Sequence, residues 1–255
     1  METGMNTVIS IRDLTVSFKD KKALSDVNFD VMPNELTVLV GRSGSGKSTL
    51  LRAVNRLNEC FEGCETSGGI SVRLGGETLD VYASETDPER LRSRVGMVFQ
   101  APNVLPISIE RNLLLPQKLV RGIGGARARE VMERVLEDVG LLDEVKDRLK
   151  QPAGTLSGGQ QQRLCLARTM ALEPEILLLD EPTASVDYKS VEHIEQLLLR
   201  LAPTLPMLVV SHSLDQTRTL ADRVILMREG RVAGTWSRTD HDAETAFDEL
   251  LSTTF

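Results

Sequence analysis

The stretch Gly41-Arg42-Ser43-Gly44-Ser45-Gly46-Lys47-Ser48 constrains this chain more than any other, because of what precedes it. Leu36-Thr37-Val38-Leu39-Val40 is almost continuously apolar, as a strand buried on both faces should be. The glycines after it let the backbone wrap around an anion with successive N–H groups pointing inward. A helix opening near Lys47 adds the positive end of its dipole. In such a loop Lys47 is the point charge for the β- and γ-phosphates, and the Ser48 hydroxyl is placed to bind Mg²⁺.

The rest of the chain supplies the context that such a loop needs. Val8 to Phe18 and Leu24 to Val31 are rich in β-branched and apolar residues and read as strands around a charged turn, Lys19 to Lys22. Ile70–Leu74 and Val95–Phe99 are further strands, the latter running into Gln100. Pro102, Pro106 and Pro116 are expected to break the chain, and Arg127–Val139 has helical apolar spacing. Asp143–Lys150 is expected to continue as a charged helix. From Gln160 onward helices and strands alternate: Gln160–Leu172, Ile176–Asp180, Val191–Leu201, Met207–Ser211, Asp215–Ala221, Val224–Met227 and Arg231–Trp236. A final helix is expected over Ala243–Leu251. That alternation predicts a parallel sheet with helices on both faces, and the middle third predicts a mostly helical insertion.

Composition excludes several classes. The 255 residues carry a net charge of −7, so the chain as a whole is no basic nucleic-acid binder. No apolar run approaches the roughly 18 to 20 residues that cross a bilayer. Met1 to Ser10 does not read as a secretory signal. A soluble, cytoplasmic protein is expected, with any membrane role peripheral. Cys60, Cys64 and Cys165 make no disulfide framework, and the C-x3-C pair has no second Cys or His pair nearby, so incidental thiols are expected.

Two more segments carry chemistry. Ile176-Leu177-Leu178-Leu179-Asp180-Glu181 leaves Asp180 at the C-terminal end of a buried strand, where open α/β sheets bind ligands. Asp180 can orient the Mg²⁺ shell, and Glu181 can poise a water against the γ-phosphate as general base. Leu156-Ser157-Gly158-Gly159-Gln160 precedes a helix, so Ser157 can cap it while the glycine N–H groups face an anion. One nucleotide does not need two phosphate loops from one subunit. The economical explanation is that Ser157–Gln160 serves a nucleotide held by another subunit.

With these motifs in place the chain resembles, over essentially its whole length, the ATP-binding subunits of ABC transporters. The resemblance implies a P-loop NTPase fold: an ABC-type nucleotide-binding domain with a mainly parallel sheet, an N-terminal antiparallel β subdomain and an inserted helical subdomain. It implies one domain over 1–255, with its core at about 1–100 and 155–255 and the helical part at about 101–154. Nucleotide contacts are implied for Phe18, which would stack on adenine, and for Gly41, Arg42, Ser43, Gly44, Ser45, Gly46, Lys47, Ser48 and Thr49. The signature residues Ser157, Gly158, Gly159 and Gln160 would close over the partner's ATP in a head-to-tail dimer. Glu181, His212, Gln100 and Lys47 are implied as catalytic, with Ser48, Gln100 and Asp180 on Mg²⁺. Ala184-Ser185-Val186-Asp187 matches the dimer-interface loop.

Within the family, Asn55-Arg56-Leu57-Asn58, Val95 to Gln100, Pro102-Asn103, Ser108-Ile109, Asp143 to Lys150 and Ser157 to Cys165 look like importers of phosphate of the Pst type. Ser211-His212-Ser213-Leu214-Asp215-Gln216 and Tyr188-Lys189-Ser190 depart from that subfamily's usual residues, and its usual C-terminal tail is missing. The implied partners are a second copy, a transmembrane permease docked on the segment from Gln100 to Arg121, and indirectly a substrate-binding protein, with no nucleic acid. The implied location is the cytoplasmic face of the inner membrane. Another cargo, such as a different oxyanion or a lipid, stays open, as does a soluble ABC ATPase acting on nucleic acid. The long insertions usual in that last group are not visible here. A small-molecule kinase would leave Ser157–Gly159 unexplained.

Overall fold

A computed structural model describes residues 7–19, 21–184, 186–240 and 243–252. Readings that fall on residues 1–6 and on Ser185 lie outside the described residues.

Among the described residues the strands form two sheets. The first is antiparallel, in the order β2-β1-β4-β5: β1 (Ile9–Phe18), β2 (Lys21–Val31), β4 (Cys64–Leu74) and β5 (Glu77–Asp80). The second runs β10-β9-β3-β8-β7-β6. Its members are β3 (Leu36–Val40), β6 (Val95–Val98), β7 (Ile176–Asp180), β8 (Met207–Val210), β9 (Arg223–Arg228) and β10 (Arg231–Ser237). Its neighbours pair in parallel except the β9–β10 hairpin.

Side-chain alternation divides the core. Leu177 and Leu179 of β7 face one apolar cluster; Ile176 and Leu178 face another. The second cluster joins the parallel sheet to helix α1 (Lys47–Val54) and to the inner face of the antiparallel sheet. The first joins it to α3 (Ile109–Arg121), α4 (Gly125–Asp138), α6 (Gly158–Met170) and α7 (Tyr188–Leu201). Every residue of β3, β7 and β8 is buried, as covering on both faces requires. The other α-helices among the described residues are α2 (Pro88–Arg94), α5 (Leu142–Val145), α8 (Leu214–Leu220) and α9 (Ala243–Ser252).

Three expectations need correction. Pro116 does not break the chain: it lies inside α3. It removes one helical hydrogen bond, which costs about 3 kcal/mol in an unsupported helix. Fully buried Ile109 and Leu113 offset this, with the Ser108 cap and the Gln117 amide, which donates to Leu113 O and Ala128 O. Asp143–Lys150 is not one helix but a single α turn followed by a 3-10 turn, Lys146–Arg148. Only Val145 there is fully buried, too little apolar surface to hold a longer helix. The strand expected over Ile70–Leu74 starts at Cys64, because its polar half still pairs with Thr15 to Phe18.

Candidate active site

Register places three side chains side by side. Val98 of β6 pairs with Leu179 of β7, and Asp180 of β7 pairs with Val210 of β8. The residues just beyond these three strand ends are therefore neighbours: Gln100, Glu181 and His212. Gln100 Nε2 donates to Glu181 Oε2 at 2.8 Å, and His212 Nε2 lies 2.6 Å from Glu181 Oε1. Both carboxylate oxygens are thus held from opposite sides. Glu181 itself sits at φ 49°, in the left-handed region, a conformation that costs about 1–3 kcal/mol and persists only where surroundings impose it.

The glycine loop lies on the same edge, after β3. Gly41 has φ +146°, and a Cβ there would come within 2.2 Å of the Met227 carbonyl oxygen of β9. Gly46, at φ +101°, is similarly pressed on the Ala23 carbonyl of β2. Side chains at either position would push the loop off the sheets. Lys47, the first residue of α1, folds its ammonium back onto Gly41 O (2.6 Å) and Arg42 O (3.0 Å). Burial lowers its pKa, against the pull of Glu181 and Asp180. Ser48 Oγ donates to Asp180 Oδ1 at 3.0 Å. Burial raises the Asp180 carboxyl above the ordinary range, more than the Ser48 bond and the nearby cations lower it.

These groups border an open, polar cleft of about 730 Å³. Phe18, Ser43, Gly44, Gly46, Lys47, Ser48, Thr49, Gln100, Glu181 and His212 line it. Phe18 forms an end wall, edge-on to Phe61. Gly41, Arg42 and Ser45 shape the loop instead: the first two receive the Lys47 ammonium, and buried Ser45 accepts from Gly230 N. Five lining residues escaped the sequence reading: Lys21, Lys22, Ala23, Glu229 and Gly230. The lysines stood out in sequence only as part of a charged turn, and the β1–β2 hairpin carries them to the cleft.

Ser157–Gln160 does not line the cleft. Ser157 Oγ accepts from Gln160 N, and Gln160 Oε1 accepts from Ser157 N, closing a capping box at the start of α6. Gly159 packs beside Val186 and Asp187, in the loop after β7. Among the described residues there is no group of three or more His, Cys, Asp and Glu side chains fit to cage a metal, and the cysteines are free. Ser48 and Asp180 nevertheless present adjacent hard oxygens, the donor type of Mg²⁺ sites completed by a substrate phosphate. No described helix is long and apolar enough to cross a membrane.

Residues 24–184 match the family described as ABC transporter. The phosphate import ATP-binding protein PstB of Rubrobacter xylanophilus is 43% identical over 216 residues, which is 84% of this chain and 74% of that protein. Among solved structures, a dimeric ATP-binding cassette in a post-hydrolysis state bound to ADP and Pi superimposes with a TM-score of 0.77 at 27% identity, covering 91% of this chain and 99% of the other. The cbiO1 protein of Clostridium perfringens, part of the ABC transporter complex cbiONQ, gives 0.77 at 25% identity, over 96% of this chain and 92% of the other.

Proposed function

This chain belongs to the ABC transporter family, and on that premise we propose that it is the ATP-hydrolysing subunit of a phosphate importer. The observation that carries the chemistry is the Glu181 carboxylate, gripped by Gln100 and His212 at the mouth of a cleft whose other wall is the glycine loop. ATP fits with its phosphates on the N–H groups of Gly44 to Ser48 and its base toward Phe18. Lys47 exchanges its two backbone carbonyls for phosphate oxygens. Glu181 takes a proton from a water as that water attacks the γ-phosphorus, and ADP and phosphate result. Gln100 and His212 keep the carboxylate aimed while the proton moves. Ser48, Gln100 and Asp180 would hold Mg²⁺, which when bound neutralises phosphate charge.

The residues Ser157 to Gln160, remote from this cleft, serve the ATP of a second copy in a head-to-tail dimer. The dimeric solved relative supports that reading. The segment from Gln100 to Arg121 docks on a permease, as membership of cbiO1 in a transporter complex supports by analogy. The nucleotide core takes about 1–100 and 155–255, and the helical subdomain about 101–154. The subunit works peripherally on the cytoplasmic face, and a substrate-binding protein delivers cargo to the permease. Phosphate as cargo rests on the likeness to the phosphate import protein.

Reconstitution with its permease in proteoliposomes tests the cargo. Labelled phosphate should accumulate only with ATP. Uptake of another oxyanion, with phosphate excluded, would overturn the assignment.

A further inference from the structure

Two helices of this chain open on Ser-x-x-Gln: Ser157 to Gln160 and Ser213 to Gln216. The first pattern closes into a capping box, each partner satisfying the other. The second closes only by half. Gln216 N donates to Ser213 Oγ at 3.2 Å, but the Ser213 N–H turns to Ser211 Oγ at 3.1 Å. The Gln216 amide leaves its own helix. It is 5% exposed and joins three other segments. Its Nε2 donates to Thr183 Oγ1 at 2.9 Å and to Glu195 Oε1 of α7 at 3.2 Å, while its Oε1 accepts from Ser211 Oγ at 2.8 Å.

Those partners flank the catalytic pair. Ser211 directly precedes His212, and Thr183 stands two residues after Glu181. Both catalytic residues lie past their strand ends. The last backbone bond between their segments is from Glu181 N to Val210 O. Behind them is a cleft of about 380 Å³, bordered by Glu181, His212, Thr183, Ser211 and Gln216, into which the loops could relax. We propose that Gln216 is a positioning residue for ATP hydrolysis: its amide ties the Thr183 loop to Ser211 and so sets the span between Glu181 and His212. Gln216 does not line the nucleotide cleft, so its loss acts through aim, and a misplacement of about 1 Å can cost about 10²-fold in rate.

This inference rests on the proposed ATPase reading, and the test separates the two. Gln216→Glu removes the donor and sets a carboxylate against Glu195. Its kcat should fall about tenfold or more, the effect of about 1.4 kcal/mol in the barrier. The KM for ATP should stay within about twofold, since Lys47 and Ser48 are untouched. Adding Glu195→Gln rebuilds the donor–acceptor pair with the roles exchanged and should restore most of the rate. Gln216→Met, neutral and of similar volume, makes the same comparison should the like-charged pair prevent folding. Wild-type kcat in both Gln216 variants, or a double variant as slow as Gln216→Glu, overturns the positioning role. Glu181→Gln is run alongside. If it is inactive while the Gln216 variants are silent, only the positioning role falls; if it hydrolyses ATP at the wild-type rate, the assigned base falls.

Discussion

Ser48 Oγ donates to Asp180 Oδ1 at 3.0 Å, across 132 residues of chain. This contact links the start of α1 to the end of β7, where Asp180 is 2% exposed. Burial is the largest influence on that carboxyl and raises its pKa. The folded state then binds the proton more tightly than the unfolded chain, so this group's contribution to stability falls as pH rises above the ordinary aspartate value of about 4. Asp180→Asn should therefore raise the Tm of the nucleotide-free protein at pH 7, and the advantage should shrink as pH falls toward about 4. Each kcal/mol gained is worth about 2–4 °C in a protein of this order of size. Hydrolysis should be lost in the same variant. Calorimetry across pH reads the first effect, and an Asn variant less stable than wild type at pH 7 contradicts the account.

Lys47 shows the same tension with the opposite charge. Lys47 is 5% exposed, and its ammonium donates to two backbone carbonyls, Gly41 O and Arg42 O. Triphosphate offers it full negative charge instead. Charge-assisted hydrogen bonds are worth about 1.5–3 kcal/mol, so Lys47→Ala should weaken ATP binding by about 10- to 10²-fold. Direct calorimetric titration of ATP measures this, and an unchanged affinity would refute the role of the loop.

Much of this site was legible because its parts are local in sequence. The glycine loop needs its glycines within one turn, and the apolar runs before Asp180 and Gly41 announce buried strands. Ser157 and Gln160 likewise meet within a single helical turn. What escaped was set by tertiary contacts. Pro116 reads as a breaker, yet burial of Ile109 and Leu113 carries the helix through it. Lys21 and Lys22 line the cleft only because β1 and β2 fold back on each other. Gln216 stood out in sequence only as the end of the stretch Ser211 to Gln216, and only the approach of Thr183 and Glu195 reveals its use. Short-range rules say what each segment can do alone, and these three are decided by what packs against them.

The segment after Gln100 separates anchor from contact surface. Val104 packs on the core, while Leu105 is 36% exposed with its backbone N–H and carbonyl both bound by Asn112. The backbone is thus fixed and the Leu105 side chain is presented outward. Leu105→Asp should leave folding and the ATPase activity of the isolated subunit near wild type, and should abolish transport in the reconstituted transporter. Ile107 is less exposed, so Ile107→Asp should also lower the Tm. Uptake equal to wild type in Leu105→Asp would remove this segment from the permease interface.

Glu181→Gln should trap an ATP-bound dimer. Gln keeps the size of the side chain and can still accept from Gln100 Nε2 through its remaining carbonyl oxygen. It cannot take a proton, and loss of a general base typically costs about 10² to 10⁴ in rate. ATP binding uses Lys47 and Ser48, which the change leaves alone, so the bound state forms and persists. In the proposed dimer each Ser157 faces the partner's phosphate, and a second exchange there should undo the trap. Ser157→Arg sets a bulky side chain at that contact but also removes the cap of α6, at about 1 kcal/mol. Ser157→Asp keeps a capping oxygen and sets a negative charge against the phosphate instead, so it should block the dimer without weakening the helix. Size-exclusion chromatography with light scattering, with and without MgATP, distinguishes these outcomes. A Glu181→Gln protein that stays monomeric in saturating MgATP would count against the sandwich. One that dimerises equally well with Ser157→Asp would show that the loop at Ser157 does not meet the partner's nucleotide.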